Sequence, residues 1–217
     1  MKDLKEYIAR LRYDFSKQTL DEIDVHKNPL IQFEHWFKEA VETNVSNPNA
    51  MVVSTASKEG KPSARVLLLR NFNENGFVFY TNYNSKKAVN LENNPYASIT
   101  FFWGELERQV RIEGTVVKQN DSESDEYFSL RPDTSKLGAW SSPQSNIISN
   151  RAELDDKFSE MKEHFKGKNI PRPPFWGGYT LKPNLYEFWQ GRPNRMHDRI
   201  VYELEENNEW EIGRLAP

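Results

Sequence analysis

The sequence predicts a mainly β protein with peripheral helices, of the α+β class, whose strands pair antiparallel and close as a barrel. Three observations carry this. From residue 50 onward the hydrophobic period changes from helical spacing to that of strands. The strand segments are joined by short turns such as Lys58-Glu59-Gly60-Lys61, which calls for antiparallel neighbours, and closure removes the exposed edges. The helical segments are inserted between strands without alternating strictly with them, which argues against a doubly wound parallel sheet.

The elements follow in order. Residues 2–13 carry Leu4, Ile8 and Leu11 at helical spacing, and residues 30–43 repeat the pattern with Ile31, Phe33, Trp36, Phe37, Ala40 and Val41 behind a Pro29 suited to a first turn. Residues 51–56, 63–70 and 77–81 read as strands, the last two separated by the turn Asn73-Glu74-Asn75-Gly76. Residues 85–92 read as a helix, 96–103 and 107–118 as long strands joined by a short turn, and 122–130 and 151–165 as helices. Late strands are expected at 179–181, 185–190, 199–204 and 210–214. Pro171-Arg172-Pro173-Pro174 is a rigid connection, and no repeat or low-complexity linker breaks the chain. A single domain over residues 1–217 is expected, with residues 1–20 as an N-terminal helical segment.

Composition excludes several functions. The 217 residues carry a net charge of -3, so bulk electrostatics do not favour nucleic acid. Aromatic residues make up 13%, enough for a substantial core although hydrophobic residues are only 37%. Without cysteine there is no disulfide, thiolate metal site or thiol nucleophile. The N-terminus Met1-Lys2-Asp3-Leu4-Lys5-Glu6 lacks the apolar stretch of a signal peptide, and no apolar run approaches the ~20 residues of a membrane helix. A cytoplasmic protein with no membrane partner is expected. The G-x-G-x-x-G, G-x-x-x-x-G-K-[ST] and G-x-S-x-G patterns are missing. His26, His35, His164 and His197 are scattered, so no metal site is expected.

The densest chemistry lies in Glu187-Phe188-Trp189-Gln190-Gly191-Arg192-Pro193-Asn194-Arg195-Met196-His197-Asp198-Arg199. If the segment is extended from Arg195 on, Arg195, His197 and Arg199 share a face. Two cations flanking an imidazole fit a small anionic ligand, or else a solvated charged strand. Asn84-Ser85-Lys86-Lys87 opens a helix with Asn84 or Ser85 as N-cap. Lysines at that positive end are mildly destabilising unless an anion sits there, so the pair reads either as exposed or as an anion site. Tyr127 and Arg131 share a helix face that Pro132 ends, with Ser135 in the next turn. That group could cradle a phosphate or form an ordinary helix end.

The same segment resembles the C-terminal signature of the pyridoxamine 5'-phosphate oxidase family. Further matching blocks are Arg65-Val66-Leu67-Leu68-Leu69-Arg70, Phe79-Tyr80-Thr81-Asn82, Ser85-Lys86-Lys87-Ala88, Leu106-Glu107-Arg108-Gln109-Val110, Gly138-Ala139-Trp140-Ser141 and the terminal Arg214-Leu215-Ala216-Pro217. The resemblance covers nearly the whole chain. It implies an antiparallel FMN-binding split β-barrel, a homodimer with FMN in the interface, and oxidation of pyridoxamine or pyridoxine 5'-phosphate to pyridoxal 5'-phosphate. In that chemistry hydride passes from C4' to flavin N5, and dioxygen becomes hydrogen peroxide.

Carried over by position, the resemblance places Arg65, Lys86 and Lys87 on the FMN phosphate. Around the flavin it places Arg65, Val66, Leu67, Leu68, Leu69, Arg70, Tyr80, Thr81, Gln109, Gln144, Ser145, Trp189 and Arg199. The leucine run would supply backbone and core packing, as a buried strand. Arg70, Tyr127, Arg131 and Ser135 would hold the substrate phosphate, while Arg195 lies against the pyridine ring and His197 bonds its polar edge. Asp198 is expected to partner neighbouring cations. The resemblance also makes residues 1–20 a lid that brings Arg12 and Phe15 to the substrate. Three positions depart from the family: Lys86 stands for Arg, Arg70 for Lys, and Arg12-Tyr13-Asp14-Phe15 for Arg-x-x-Tyr. A phenazine-type oxidase on the same fold and a non-catalytic flavin- or pyridoxal-phosphate-binding protein remain as alternatives.

Overall fold

The computed structural model describes residues 2–217. In order it contains helix α1 (Lys2–Arg10), helix α2 (Pro29–Glu42), strands β1 (Ala50–Ala56), β2 (Pro62–Leu68), β3 (Asn71–Asn73) and β4 (Gly76–Asn82), and helix α3 (Lys86–Asn93). Strands β5 (Tyr96–Trp103) and β6 (Arg108–Lys118) follow, then helices α4 (Asp121–Ser129), α5 (Asp133–Ser141) and α6 (Arg151–His164). Strands β7 (Trp176–Gln190), β8 (Asp198–Leu204) and β9 (Trp210–Arg214) complete the chain. The sheet runs β2-β1-β5-β6-β7-β4-β3, with β8 beside β7 and β9 beside β8. Each pairing with a recorded register is antiparallel. No helix among the described residues is long and apolar enough to cross a membrane.

By contacts the chain forms two compact units. The first comprises residues 2–48, Phe101–Arg111 and Leu185–Pro217. Its core grows from α2, which starts because the Asn28 side chain accepts the Leu30 N–H at 2.9 Å and Pro29 needs no partner in the first turn. Phe33, Trp36 and Ala40 recur on one helix face and are buried. Phe33 meets Phe101 at 5.2 Å between centroids, and Trp36 meets Phe188 edge-on at 5.2 Å.

The second unit comprises Asn49–Thr100 and Ile112–Asn184. Phe77, Phe79, Ile99, Ile112 and Leu181 are fully buried in it. Close backbone approach fixes two of its glycines. A Cβ on Gly114 would stand 2.0 Å from the Lys182 carbonyl oxygen, and one on Gly76 2.0 Å from that of Leu181.

Several sequence expectations need correction. The strand expected over 63–70 ends at Leu68, and its leucine run is not a buried strand: Val66 is 65% exposed and Leu68 38%, while Leu69 is buried beyond the strand end. The cause is position, because β2 is the last strand on its side of the sheet and its residues alternate in exposure. The two strands expected at 179–181 and 185–190 are one strand through Pro183. Pairing with β4 stops at Leu181 and pairing with β8 starts at Leu185, so the proline falls between the two partners. Helix α5 was hidden by Gly138 and by the proline that caps it, and β3 by its length of 3 residues. Helix α1 stops at Arg10, short of residue 13, where the Arg12 guanidinium donates to the Ala9 and Leu11 carbonyls at 2.8 and 2.7 Å.

Candidate functional site

A buried cation organises the second unit. Ser85 is the N-cap of α3, yet its hydroxyl makes no capping bond. It faces the Lys87 ammonium at 3.3 Å instead. Lys87 is only 5% exposed and also donates to Thr81 Oγ1 at 3.0 Å and Gln144 Oε1 at 3.1 Å. All these acceptors are neutral. Burial, reinforced by the positive charge of Arg65, lowers the Lys87 pKa to about 8. Arg65 itself donates to Thr55 Oγ1 at 3.0 Å, the Val53 carbonyl at 3.1 Å and Ser63 Oγ at 2.6 Å. Neither cation has an ion-pair partner among the described residues. Two cations held only by neutral oxygens, one of them in the first turn of a helix, can receive an anion. Lys86 is exposed and lies outside this hydrogen-bonded cluster.

A second cation seeks an anion nearby in the same unit. The Arg131 Nη1 atom is buried and has no hydrogen-bond partner among the described residues. Its guanidinium lies 4.6 Å from the centre of the Trp176 ring. Burial lowers its pKa, opposed by Tyr127 and aided to a lesser degree by the charge of Arg70. Arg131 and Ser135 line a cavity of about 300 Å³ together with Asn82, Gln144 and Trp176. Tyr127 and Arg70 line a separate cavity of about 310 Å³ with Tyr80. Arg131 lies beyond the end of α4 at Ser129, and its guanidinium and the Tyr127 ring both lie against Trp176. Tyr127 stacks on Tyr80 with centroids 3.8 Å apart and planes 8° from parallel, which fixes its ring. Gln144 joins the two anion-seeking groups, since it bonds Lys87 and lines the Arg131 cavity. Ser145 follows it, exposed and with φ of 72°.

The first unit carries the imidazole site. The expected extended course from Arg195 is not adopted. Asn194 and Arg195 have φ of 56° and 63°, in a tight turn closed by the Met196 N–H on the Pro193 carbonyl at 3.1 Å, and the strand begins at Asp198. Pro193 fixes the start of that turn. The turn, not strand alternation, brings Arg195 to His197. Both line a pocket of about 550 Å³ with Leu11, Arg12, Tyr13, Phe15 and Arg192. His197 Nδ1 accepts the Arg192 N–H at 3.1 Å, so the neutral ring carries its proton on Nε2. Burial and then Arg195 lower the His197 pKa, against Asp198, which favours the neutral ring at neutral pH. Trp189 flanks His197 at 4.7 Å between centroids.

Arg199 does not join this pocket. Its Nε donates to Glu187 Oε1 at 2.7 Å and its Nη1 to the Ala216 carbonyl at 2.7 Å. Glu187 is buried, which works to raise its pKa, but the hydrogen bonds from Arg199 and Arg111 prevail and hold it low. Asp198 pairs with Arg214 at 3.0 Å and Arg192 at 3.5 Å and accepts the Leu20 N–H at 3.0 Å, the structural role expected of it. Gln109 is half-buried on β6. Sequence reasoning did not single out Ser85 as a ligand of Lys87, Arg192 as the partner of His197, or Glu187. Arg192 stood inside the dense segment, whereas a lone glutamate in an apolar strand offered only the cost of burying its charge as a signal.

Comparison with known proteins identifies the family and the fold. A family model described as pyridoxamine 5'-phosphate oxidase matches residues 37–165, and one described as the pyridoxine 5'-phosphate oxidase C-terminal dimerisation region matches residues 176–217. The chain is 49% identical to a pyridoxine/pyridoxamine 5'-phosphate oxidase of Cyanothece sp., over 97% of this chain and 98% of the relative. It is 50% identical to one of Nostoc sp., with the same coverage. The solved structure of PhzG from Burkholderia lata, in complex with tetrahydrophenazine-1-carboxylic acid, matches with a TM-score of 0.86 and 29% identity, over 93% of this chain and 100% of that one. A pyridoxamine 5'-phosphate oxidase-related, FMN binding protein from Nostoc punctiforme shares the fold at a TM-score of 0.67 and 19% identity. The antiparallel split barrel predicted from the sequence is thus the fold, and the chain belongs to the pyridoxamine 5'-phosphate oxidase family.

Proposed function

We propose that this protein is an FMN-dependent oxidase that converts pyridoxamine 5'-phosphate or pyridoxine 5'-phosphate to pyridoxal 5'-phosphate. One observation carries the reading: the second unit holds two anion-seeking cations, Lys87 and Arg131, joined through Gln144. A cofactor phosphate and a substrate phosphate together need two such receptors. Lys87 and Arg65 fit the FMN phosphate, because a dianion compensates one buried and one half-buried charge that neutral oxygens leave uncompensated. Lys86, exposed at the start of the same helix, is proposed as the third cation on that phosphate. Thr81 and Gln144, which accept hydrogen bonds from Lys87, are proposed for the flavin together with Tyr80, Ser145, residues 66–70, Gln109, Trp189 and Arg199, on the family resemblance.

The chemistry supplied by FMN, when bound, is acceptance of hydride at N5 from the substrate C4' carbon, with dioxygen taking the electrons as hydrogen peroxide. The protein binds and orients. Arg131 with Ser135, and Arg70 with Tyr127, take the substrate phosphate. Arg195 holds the pyridine ring, and His197 donates its Nε2 proton to the ring's polar edge. Arg12 and Phe15 wall the same pocket as Arg195 and His197. Holding the reacting rings in register is the main contribution expected of such a site. The C-terminal match supports a homodimer as the working form.

Anaerobic mixing of the FMN-loaded protein with pyridoxamine 5'-phosphate should bleach the oxidised flavin absorbance. A flavin that stays oxidised would sink the proposal. The relative bound to tetrahydrophenazine-1-carboxylic acid suggests a second substrate class. Arg131 weighs against it, since a carboxylate on a ring leaves a separate phosphate receptor unused.

A further inference from the structure

Glu107 occupies a costly position. Its φ is 55°, in the left-handed region that glycine and asparagine favour, and the residue is buried. Its side chain accounts for the choice. Oε2 accepts the Ser16 N–H at 2.8 Å and the Lys17 N–H at 3.0 Å, two successive amides converging on one carboxylate oxygen. Its own carbonyl accepts the Gly191 N–H at 2.8 Å. Glu107 thus ties the N-terminal segment and the residue just past β7 to one point.

Phe15, next to Ser16, is placed by that tie. Its ring stands edge-on to Trp189 at 5.6 Å and to His197 at 5.7 Å. A Cβ on Gly191 would come within 2.7 Å of Phe15 Cβ and Cγ, so only glycine admits the ring there. Before Phe15 the segment is held differently. Among the described residues the Arg12 guanidinium bonds the Ala9 and Leu11 carbonyls alone, and Tyr13 is 74% exposed. The anchored part of the segment therefore begins at Phe15.

We propose that Glu107 is a positioning residue: its carboxylate, by binding the Ser16 and Lys17 amides, holds Phe15 against His197 and fixes the wall of the substrate pocket. This rests on the reading of that pocket as the substrate site. Glu107 itself acts through Phe15 and touches no substrate.

The test uses the full-length FMN-loaded protein with Glu107→Ala, Glu107→Gln and Gly191→Ala. Amide hydrogen exchange at Ser16 and Lys17 is read beside KM and kcat for pyridoxamine 5'-phosphate. Glu107→Ala should speed exchange at both amides about tenfold and raise KM roughly tenfold, with kcat within about twofold and flavin content unchanged. Glu107→Gln keeps an acceptor oxygen and should fall between. Gly191→Ala displaces the Phe15 ring by a separate route and should raise KM without exposing the two amides. Unchanged exchange in Glu107→Ala, or faster exchange with unaltered KM, overturns the proposal, as does equal loss of kcat and flavin in all three variants. A wild-type protein that binds FMN but turns over no substrate sinks the functional reading alone. Exchange at Ser16 and Lys17 then still decides whether Glu107 holds the segment.

Discussion

The Lys87 ammonium lies 3.0 Å from the Thr81 hydroxyl, buried, with no carboxylate among the described residues to balance it. A protein retains such a cation at a cost unless a ligand supplies the missing charge. Lys87→Met should therefore raise the melting temperature of the FMN-free protein or leave it unchanged, while weakening FMN binding by about 10- to 100-fold, as expected for loss of a charge-assisted bond. The pH dependence has a definite sign. The free-protein pKa is about 8, and a bound phosphate raises it, so binding takes up a proton above pH 8. Affinity should be flat from pH 7 to 8 and then fall by up to about tenfold per unit. The Met variant should lose that slope in a flavin-fluorescence titration.

Arg131 should report on phosphate alone. Arg131→Met is expected to raise KM for pyridoxamine 5'-phosphate by about 100-fold, or ~2.7 kcal/mol. Turnover of unphosphorylated pyridoxamine at high concentration should stay within about twofold, since no phosphate contact is there to lose. Steady-state peroxide assays on both substrates measure this.

Arg195→Ala and His197→Ala should each lower kcat/KM by ~100-fold, about 2.7 kcal/mol, while FMN content holds. Loss of flavin with intact turnover per bound flavin would reverse the two roles. His197→Asn keeps a side-chain donor and should recover part of the rate.

The Glu187 carboxylate tests stability. Replacing it with Gln leaves Arg199 and Arg111 poorly compensated and should cost about 2 kcal/mol at pH 7 by urea unfolding, less than a fully buried pair because both arginines are partly exposed. Its folded pKa lies below the unfolded value of 4.5, so the contribution is complete above that pH and is lost as pH falls through the lower folded value. The two proteins should converge in stability in acid.

Most of the fold was legible because period-two runs and short turns mark antiparallel strands locally. What escaped depended on neighbours. Leu68 reads as core until the sheet order makes β2 an edge, and Pro183 reads as a break until the partner registers leave it a gap. The site residues were named from motif positions, and the structure groups Lys87 with Thr81 and Gln144, and Arg195 with His197, Arg12 and Phe15. It puts Arg131 past the end of the helix that carries Tyr127, a boundary that sequence places within a few residues only. The turn at Asn194 and Arg195 was invisible because two successive left-handed residues that are not glycine carry no strong signature.

The central claim is tested most directly by incubating the FMN-loaded protein in air with pyridoxamine 5'-phosphate while following pyridoxal 5'-phosphate and hydrogen peroxide together. The account predicts that both appear over many turnovers in equal amounts. No aldehyde from protein that retains bound FMN would contradict it.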